Sequence, residues 1–183
     1  MIEVCKYFMT KRDLKKQTKV LFLKNIQLIV YDFDGVLTDN KVILREDGIE
    51  SVVVNRSDGL AIGIINDRGI KQIILTMETN KVVEARANKL NIPVIKGVVN
   101  KKETLVSYCN ENNIQLSNVV YIGNDINDFE VMSIVGYPVC PLDAYEEIKR
   151  ISKIILEVKG GEGVVRDFLN YIEPDNKEKL KCI

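Results

Sequence analysis

Two acids follow a strongly apolar segment near the start of the chain. Residues 26–33 form a near-continuous apolar run in which Asp32 is embedded, and Asp34 and Gly35 follow directly. Carboxylates at the end of a buried strand repel each other and lose hydration, so they need compensation. A Mg²⁺ ion would compensate both charges, and Gly35 would let the backbone turn sharply and approach a phosphate closely. The spacing therefore indicates metal-assisted chemistry on a phosphate group.

The residue types present narrow the chemistry further. The chain has no histidine, which excludes Ser-His-Asp and Cys-His catalysis and histidine-bound metals. The four cysteines are far apart and form no Cys-x-x-Cys pair, so they indicate neither a zinc site nor a disulfide framework. Free thiols are typical of a reducing compartment, and we expect a cytoplasmic protein.

The charge and hydropathy patterns exclude two classes of partner. The chain carries 26 basic and 26 acidic side chains, so no overall field favours nucleic acid or an anionic membrane. No segment approaches the roughly 20 apolar residues of a membrane span. We therefore expect neither a nucleic-acid nor a membrane partner.

The periodicity predicts strands that alternate with helices. Strands are expected at residues 26–33, 70–75, 93–96, 119–122, 137–140 and 153–156. Helices are expected between them at residues 57–68, 79–90, 100–112, 126–135, 143–150 and 164–171, with Ser57, Thr79 and Asn100 as N-caps. A hairpin is expected over 41–45 and 50–55, around Glu46-Asp47-Gly48. This order predicts an α/β fold with a doubly wound parallel sheet.

Three regions follow from this pattern. Residues 1–24 read as an N-terminal extension, residues 25–173 as one catalytic domain, and residues 174–183 as a polar tail. Ligands of such sheets bind at the carboxyl ends of the strands, where Asp32, Thr76 and Asp125 are expected.

The string Asp32-Phe33-Asp34-Gly35-Val36-Leu37-Thr38-Asp39 resembles the first motif of the haloacid dehalogenase-like hydrolases, and the resemblance extends over residues 26–172. It implies a Rossmann-like fold and a Mg²⁺-dependent phosphatase. Asp32 would be the nucleophile that forms an aspartyl-phosphate. Asp34 would protonate the leaving oxygen and then activate water, while its backbone carbonyl binds Mg²⁺.

The resemblance also assigns roles to later residues. Thr76 would hydrogen-bond a phosphate oxygen, and Lys101 would neutralise the phosphate and the nucleophile. In the fourth motif the usual first acid is replaced by Asn124. Asp125 is then the expected metal ligand beside Asp32 and Asp34, with Asn124 or Asp128 as further candidates and Asp128 also a possible support for Lys101.

Within that superfamily, the chain is similar to the capless phosphatases of 3-deoxy-2-keto sugar acid phosphates. Only a hairpin flap stands where most relatives carry a cap domain, and Gly160-Gly161-Glu162-Gly163 resembles a glycine-rich segment of that group. The resemblance implies a homotetramer. It also implies substrate contacts at Arg56, Asp58, Gly59 and Arg166.

Two substrates stay open at this point. They are a nonulosonate 9-phosphate and 3-deoxy-D-manno-octulosonate 8-phosphate. The segment Thr76-Met77-Glu78-Thr79-Asn80 resembles the phosphatases of the first substrate more than those of the second. An alternative to the enzyme is a catalytically weak oligomerisation module associated with a sialic-acid cytidylyltransferase. A receiver domain of a response regulator does not fit, because its phosphoacceptor Asp ends a middle strand, where this chain has Thr76 or Lys96.

Overall fold

Six short apolar segments form one parallel sheet in the computed structural model, which describes residues 25–172. The predicted extension and tail lie outside the described residues. The strands are β1 (Leu28–Tyr31), β4 (Lys71–Leu75), β5 (Val94–Ile95), β6 (Val119–Ile122), β7 (Tyr137–Cys140) and β8 (Ile154–Ile155). Their order is β5-β4-β1-β6-β7-β8, and every pairing is parallel. Asn25–Asn170 form one compact unit.

Helices connect the strands as the sequence predicts. They are α1 (Arg56–Asp67), α2 (Lys81–Leu90), α3 (Lys101–Glu111), α4 (Phe129–Met132), α5 (Glu146–Ile151) and α6 (Val164–Phe168). The last two thirds of the chain also contain 3₁₀ turns at Leu116–Asn118, Ile126–Asp128 and Leu169–Tyr171. Helices α4 and α6 are shorter than predicted because such turns take up one end of each. Within residues 25–172, no helix is long and apolar enough to cross a bilayer.

The helices cover both faces of the sheet, which confirms the doubly wound prediction. Leu28 and Val30 of β1 belong to a buried cluster that also contains residues of α3, α4 and α5. Tyr31 points to the opposite face, since its hydroxyl donates to Gln72 Oε1 at 2.6 Å. Gln72 Nε2 in turn donates to the carbonyl of Ile62 in α1 at 3.1 Å. Both faces of β1 are therefore buried, and the residue after it starts from a rigid position.

Asparagine side chains cap three of the helices. Asn55 accepts the N–H of Ser57 at 2.9 Å, and Asn80 accepts the N–H of Val82 at 3.2 Å. The predictions of Ser57 and Thr79 as caps were therefore wrong, because an asparagine two residues before Ser57 and another one residue after Thr79 accept the free amides instead. Asn100 caps α3 as predicted, through a 3.1 Å bond from Glu103 N–H.

The hairpin is confirmed, and it replaces a cap domain. Its strands β2 (Ile43–Leu44) and β3 (Glu50–Ser51) pair antiparallel, and Gly48 turns the chain with φ 78°. Between the end of β1 and the start of α1, the described residues contain no other insertion. Five apolar side chains of the hairpin are exposed to solvent. They are Val42, Ile43, Leu44, Ile49 and Val53.

We predict that Asn100→Ala lowers the free energy of unfolding by about 1 kcal/mol, because α3 loses its capping acceptor. Asn100→Ser keeps a capping oxygen and should stay within a few tenths of wild type. Urea unfolding of the three proteins measures both effects. An alanine variant as stable as wild type would show that this cap contributes nothing.

Candidate active site

The candidate site lies where the strand order reverses. β1 sits between β4 and β6, so the connections leaving β1 and β6 run to opposite sides and open a crevice at their carboxyl ends. Asp32 directly follows β1, and its N–H donates to the carbonyl of Ile122, the last residue of β6, at 2.9 Å. Asn124 comes two residues after Ile122. The sheet alone therefore brings the first and fourth motifs together.

A buried lysine joins the two acids of these loops. Lys101 Nζ lies 2.8 Å from Asp32 Oδ1 and 2.7 Å from Asp128 Oδ1. All three residues are at most 4% exposed. Asp128 also accepts the Tyr121 hydroxyl at 2.8 Å and the N–H of Asn124 at 2.9 Å. Asp128 is thus a fixed anion that orients Lys101 toward Asp32, as predicted for a supporting role.

The electrostatics of this cluster leave room for a further positive charge. Burial raises the pKa of Asp32 to about 8, Asp128 adds to the rise, and Lys101 opposes it. Burial by itself lowers the pKa of Lys101, but Asp32 and Asp128 outweigh it, and the net shift is upward. One buried lysine therefore faces two buried acids. A divalent cation would supply the missing positive charge.

The loop after β1 positions the carboxylate of Asp34. Residues Phe33–Leu37 form a tight turn in which Gly35 has φ 76°, and the N–H of Thr38 closes the turn by donating to the Phe33 carbonyl at 3.1 Å. The Thr38 hydroxyl donates to Asp34 Oδ1 at 3.2 Å and accepts the N–H of Gly35 at 3.3 Å. Burial raises the pKa of Asp34, and Glu78 and Glu50 add to the rise, against the Thr38 hydrogen bond and Lys101. A raised pKa favours the protonated form of the carboxyl, which is the form that a general acid needs.

A cavity of about 270 Å³ opens directly above these groups. Its walls include Asp32, Asp34, Asn40, Thr76, Glu78 and Asn124. Thr76 is 2% exposed, and its Oγ1 accepts the N–H of Glu78 at 3.1 Å. Its hydroxyl proton remains available as a donor to a ligand. The cavity thus joins the predicted nucleophile, acid and threonine, with Lys101 underneath.

The fourth motif offers two oxygen donors of different kinds. Asn124 lines the cavity and is 6% exposed, and its Oδ1 has no hydrogen-bond partner. A Cβ at position 35 would approach Asn124 Nδ2 to 2.1 Å, so the glycine there makes room for this amide. Asp125 lines the cavity too, but its Oδ1 accepts the N–H of Ile126 at 2.6 Å. An orphaned buried oxygen is what a metal ligand leaves when its ion is removed.

Carboxylates alone do not form a metal site here. Within residues 25–172, no group of three or more acids or thiols converges closely enough to hold an ion. Asp128 is fully buried and already has its oxygens occupied by Tyr121, Lys101 and backbone amides. A site that combines Asp32, the Asp34 carbonyl and the Asn124 amide mixes three kinds of oxygen. Such donors suit a hard cation such as Mg²⁺.

The structure separates Asp58 from the cavity. Asp58 is fully buried in the first turn of α1, and its Oδ1 accepts the N–H groups of Val165 and Arg166 at 2.9 and 3.1 Å. Burial raises its pKa, and these hydrogen bonds lower it. Asp58 Oδ1 therefore fixes the start of α6. Asp58 is not among the described walls of the cavity, and its contact with substrate stays a prediction.

The other expected substrate contacts lie nearby but outside the described walls of the cavity. Arg56 and Arg166 are exposed, at the first turns of α1 and α6. A Cβ at Gly163 would lie 2.9 Å from Ser57 Oγ and 3.8 Å from Arg166 Cβ, so these two turns adjoin. Gly59 is half-buried, and a Cβ there would meet Leu90 of α2 at 3.4 Å. The two arginines are thus exposed cations on adjoining turns. The substrate contacts of Arg56, Arg166 and Gly59 stay predictions.

The comparisons with known proteins agree with this geometry. The family model of haloacid dehalogenase-like hydrolases matches residues 3–168. The chain belongs to this family. It is 32% identical over 149 residues to the 3-deoxy-D-manno-octulosonate 8-phosphate phosphatase of Yersinia pestis, covering 81% of this chain and 80% of that protein. The family and its phosphatase members make the chain a phosphoric monoester hydrolase.

Two solved structures resemble the chain closely. The 3-deoxy-D-manno-octulosonate 8-phosphate phosphatase of Moraxella catarrhalis, in complex with magnesium, phosphate and KDO, has 30% identity and a TM-score of 0.78. The alignment covers 80% of this chain and 85% of that one. The cobalt-bound deoxy-D-mannose-octulosonate 8-phosphate phosphatase of Haemophilus influenzae has 25% identity and a TM-score of 0.77, and the alignment covers 81% of this chain and 87% of that one. Both of these proteins hold a divalent metal ion.

Two residues of this site escaped the sequence argument. The Thr38 hydroxyl bonds to Asp34 and to the backbone of Gly35. Thr38 belongs to the string of residues 32–39 described above, but its residue type alone predicts no role. Tyr121 supports Asp128 from within β6, where the sequence shows only a buried apolar strand. The polar tip of a tyrosine in an otherwise aliphatic strand is the signal that could have indicated it, because a buried hydroxyl needs a partner.

The raised pKa of Asp32 predicts a pH-dependent stability for the metal-free protein. Its pKa rises from 3.8 to about 8 on folding, so the folded state holds this proton more tightly than the unfolded state. The contribution of Asp32 to stability should therefore be full below about pH 4 and should be lost as the pH rises toward 8. Asp32→Asn cannot ionise, so with chelator present it should gain melting temperature relative to wild type across this window. Parallel melting curves for the two proteins would contradict the shift.

Proposed function

We propose that the chain is a Mg²⁺-dependent phosphatase of a 3-deoxy-2-keto sugar acid phosphate, which works through an aspartyl-phosphate on Asp32. The observation that carries this proposal is the contact of buried Lys101 with Asp32 at the floor of the cavity. Asp32 attacks the phosphorus, and Lys101 stabilises the charge that develops on the phosphoryl oxygens. Both contacts that the structure shows at the Asp32 side chain use Oδ1, so Oδ2 is the oxygen left for attack.

Asp34 supplies the proton transfers in this proposal. It lines the same cavity, and burial raises its pKa, so it can give a proton to the leaving sugar oxygen. The resulting Asp34 carboxylate then takes a proton from the water that hydrolyses the aspartyl-phosphate. The Thr38 hydroxyl keeps Asp34 in place for both steps. Thr76 donates to a phosphate oxygen and holds the group in line.

Asp32, the Asp34 carbonyl and Asn124 would hold Mg²⁺, which when bound neutralises charge on the phosphoryl group. This proposal revises the expectation that Asp125 is the fourth-motif ligand. The support for Asn124 is its buried, unpartnered Oδ1 beside Gly35. Asp125 would then act as a nearby charge and as the cap of the turn at Ile126.

We predict that Asn124→Ala raises the Mg²⁺ concentration needed for half-maximal activity by at least tenfold, because one ligand is lost. Asp125→Ala should raise it less. Activity titrated with Mg²⁺ after chelation measures both shifts. The reverse order would return the ligand role to Asp125.

The substrate class rests on the relatives. The phosphatases named above act on 3-deoxy-D-manno-octulosonate 8-phosphate, which makes this ester the first candidate. A nonulosonate 9-phosphate is the second, because Met77 and Glu78 at the cavity resemble that group's segment. None of these relatives is named as an oligomerisation module, and nothing supports that alternative. A cytoplasmic location stays a prediction from the free cysteines.

We also propose that the hairpin forms the contact of a homotetramer. Ile43 and Leu44 are 61% and 66% exposed and lie with Val42, Ile49 and Val53 on one small element. Such a patch is costly in water and is typical of an interface. A neighbouring subunit would also complete a site that has no cap of its own.

We predict that Ile43→Glu combined with Leu44→Glu gives a monomer, as measured by light scattering. The control variant is Leu60→Glu, at an exposed position of α1, and it should leave the assembly intact. The monomer should hydrolyse the sugar acid phosphates with a raised KM and a small aryl phosphate nearly as before.

A panel of both sugar acid phosphates with wild type tests the activity itself. Hydrolysis of neither ester would overturn the substrate class, and a wild-type monomer would overturn the assembly.

A further inference from the structure

A fixed carboxylate stands at the rim of the cavity and has no part in the phosphoryl transfer described above. Glu78 lies three residues beyond the end of β4 and lines the cavity together with Asp32 and Asp34. Its Oε1 accepts the N–H of Thr79 at 2.6 Å and the N–H of Asn80 at 2.8 Å. Two backbone donors therefore hold this side chain at the rim, where a mobile surface glutamate would move away.

The charge of the cavity walls is one-sided. Four of the lining residues are acids, and none of the described lining residues is a lysine or arginine; the acids are Asp32, Asp34, Glu78 and Asp125. Lys101 lies beneath and is already shared between two carboxylates. A second negative charge on the leaving group would therefore meet the fixed Glu78 carboxylate, and no lysine or arginine of the described cavity walls offers it a partner.

We infer that Glu78 is a specificity-determining residue that excludes phosphate esters carrying a second anionic group close to the phosphate. The inference rests on the proposed function, since it concerns the leaving group of that reaction. A sugar acid with its phosphate on the terminal carbon carries its carboxylate at the opposite end of the chain. That carboxylate would therefore be held farthest from Glu78 when the phosphate is in the cavity. Small phosphorylated carboxylic acids place both charges within the cavity and are rejected.

The expected size of the effect follows from the distances within such a cavity. Two unit charges about 6–8 Å apart, at an effective dielectric between those of protein surface and water, change a rate ratio by roughly three- to tenfold. The effect is electrostatic, so it should weaken as the ionic strength rises and the Debye length shortens. A steric or structural role of Glu78 would show no such salt dependence.

The experiment compares two esters with the same number of carbons, glycerol 3-phosphate and 3-phosphoglycerate, which differ by the carboxylate. Wild type should favour glycerol 3-phosphate in kcat/KM. Glu78→Gln keeps the acceptor for Thr79 and Asn80 but removes the charge, and it should reduce this preference about fivefold at low salt. The gain should come from faster turnover of 3-phosphoglycerate and should vanish at high salt.

Two further variants control for charge and folding. Glu84→Gln removes the same charge from α2, where Glu84 pairs with Lys96 at 2.8 Å, and should leave the preference unchanged. Glu78→Asp keeps the charge and should retain it. An unchanged preference in Glu78→Gln, or an equal loss with both esters, would overturn the inference while the phosphatase activity stands. Failure of wild type to hydrolyse any phosphate ester would instead overturn the proposed function.

Discussion

The buried contact of Lys101 with Asp32 and Asp128 is the interaction on which the site depends. A lysine that is almost fully buried needs negative partners, and each carboxylate there needs a positive one, so no member is stable alone. The three residues come from α3, the end of β1 and the turn after β6, and their contacts join these elements at one point. Asp128 is held further by Tyr121 and by backbone amides. The cluster therefore fixes the geometry of Asp32 before any ligand arrives.

Close backbone approach completes this arrangement. Gly160 packs against the loop of residues 33–37, because a Cβ at position 160 would lie 2.2 Å from the Gly35 carbonyl oxygen. Gly161 donates its N–H to the carbonyl of Val36 at 3.0 Å. Asp58 holds the following helix by its first amides. The glycine-rich segment thus supports the loop that carries Asp34, which gives it a structural role beside the one that its resemblance implies.

Much of this architecture could be predicted from the sequence. Apolar runs that end in polar residues marked β1, β4 and β6, and the parallel order then placed Asp32, Thr76 and Asn124 at one edge. Two of the three predicted helix caps were missed by one or two residues, because several polar residues compete at each start and only the folded backbone selects one. The position of Asp58 was also beyond sequence reasoning, since its partners lie more than a hundred residues later. The proposal of Asn124 over Asp125 as a metal ligand rests on the burial of the Asn124 side chain, which the sequence does not show.

The most direct test of this account is to trap the covalent intermediate. Borohydride reduces an aspartyl-phosphate to homoserine, and peptide mass spectrometry locates the converted residue. With Mg²⁺ and a hydrolysed phosphate ester present, homoserine should appear at position 32 and nowhere else, and it should be absent without the ester. Steady turnover with an unmodified Asp32, or homoserine at another aspartate, would contradict a nucleophile at the end of β1.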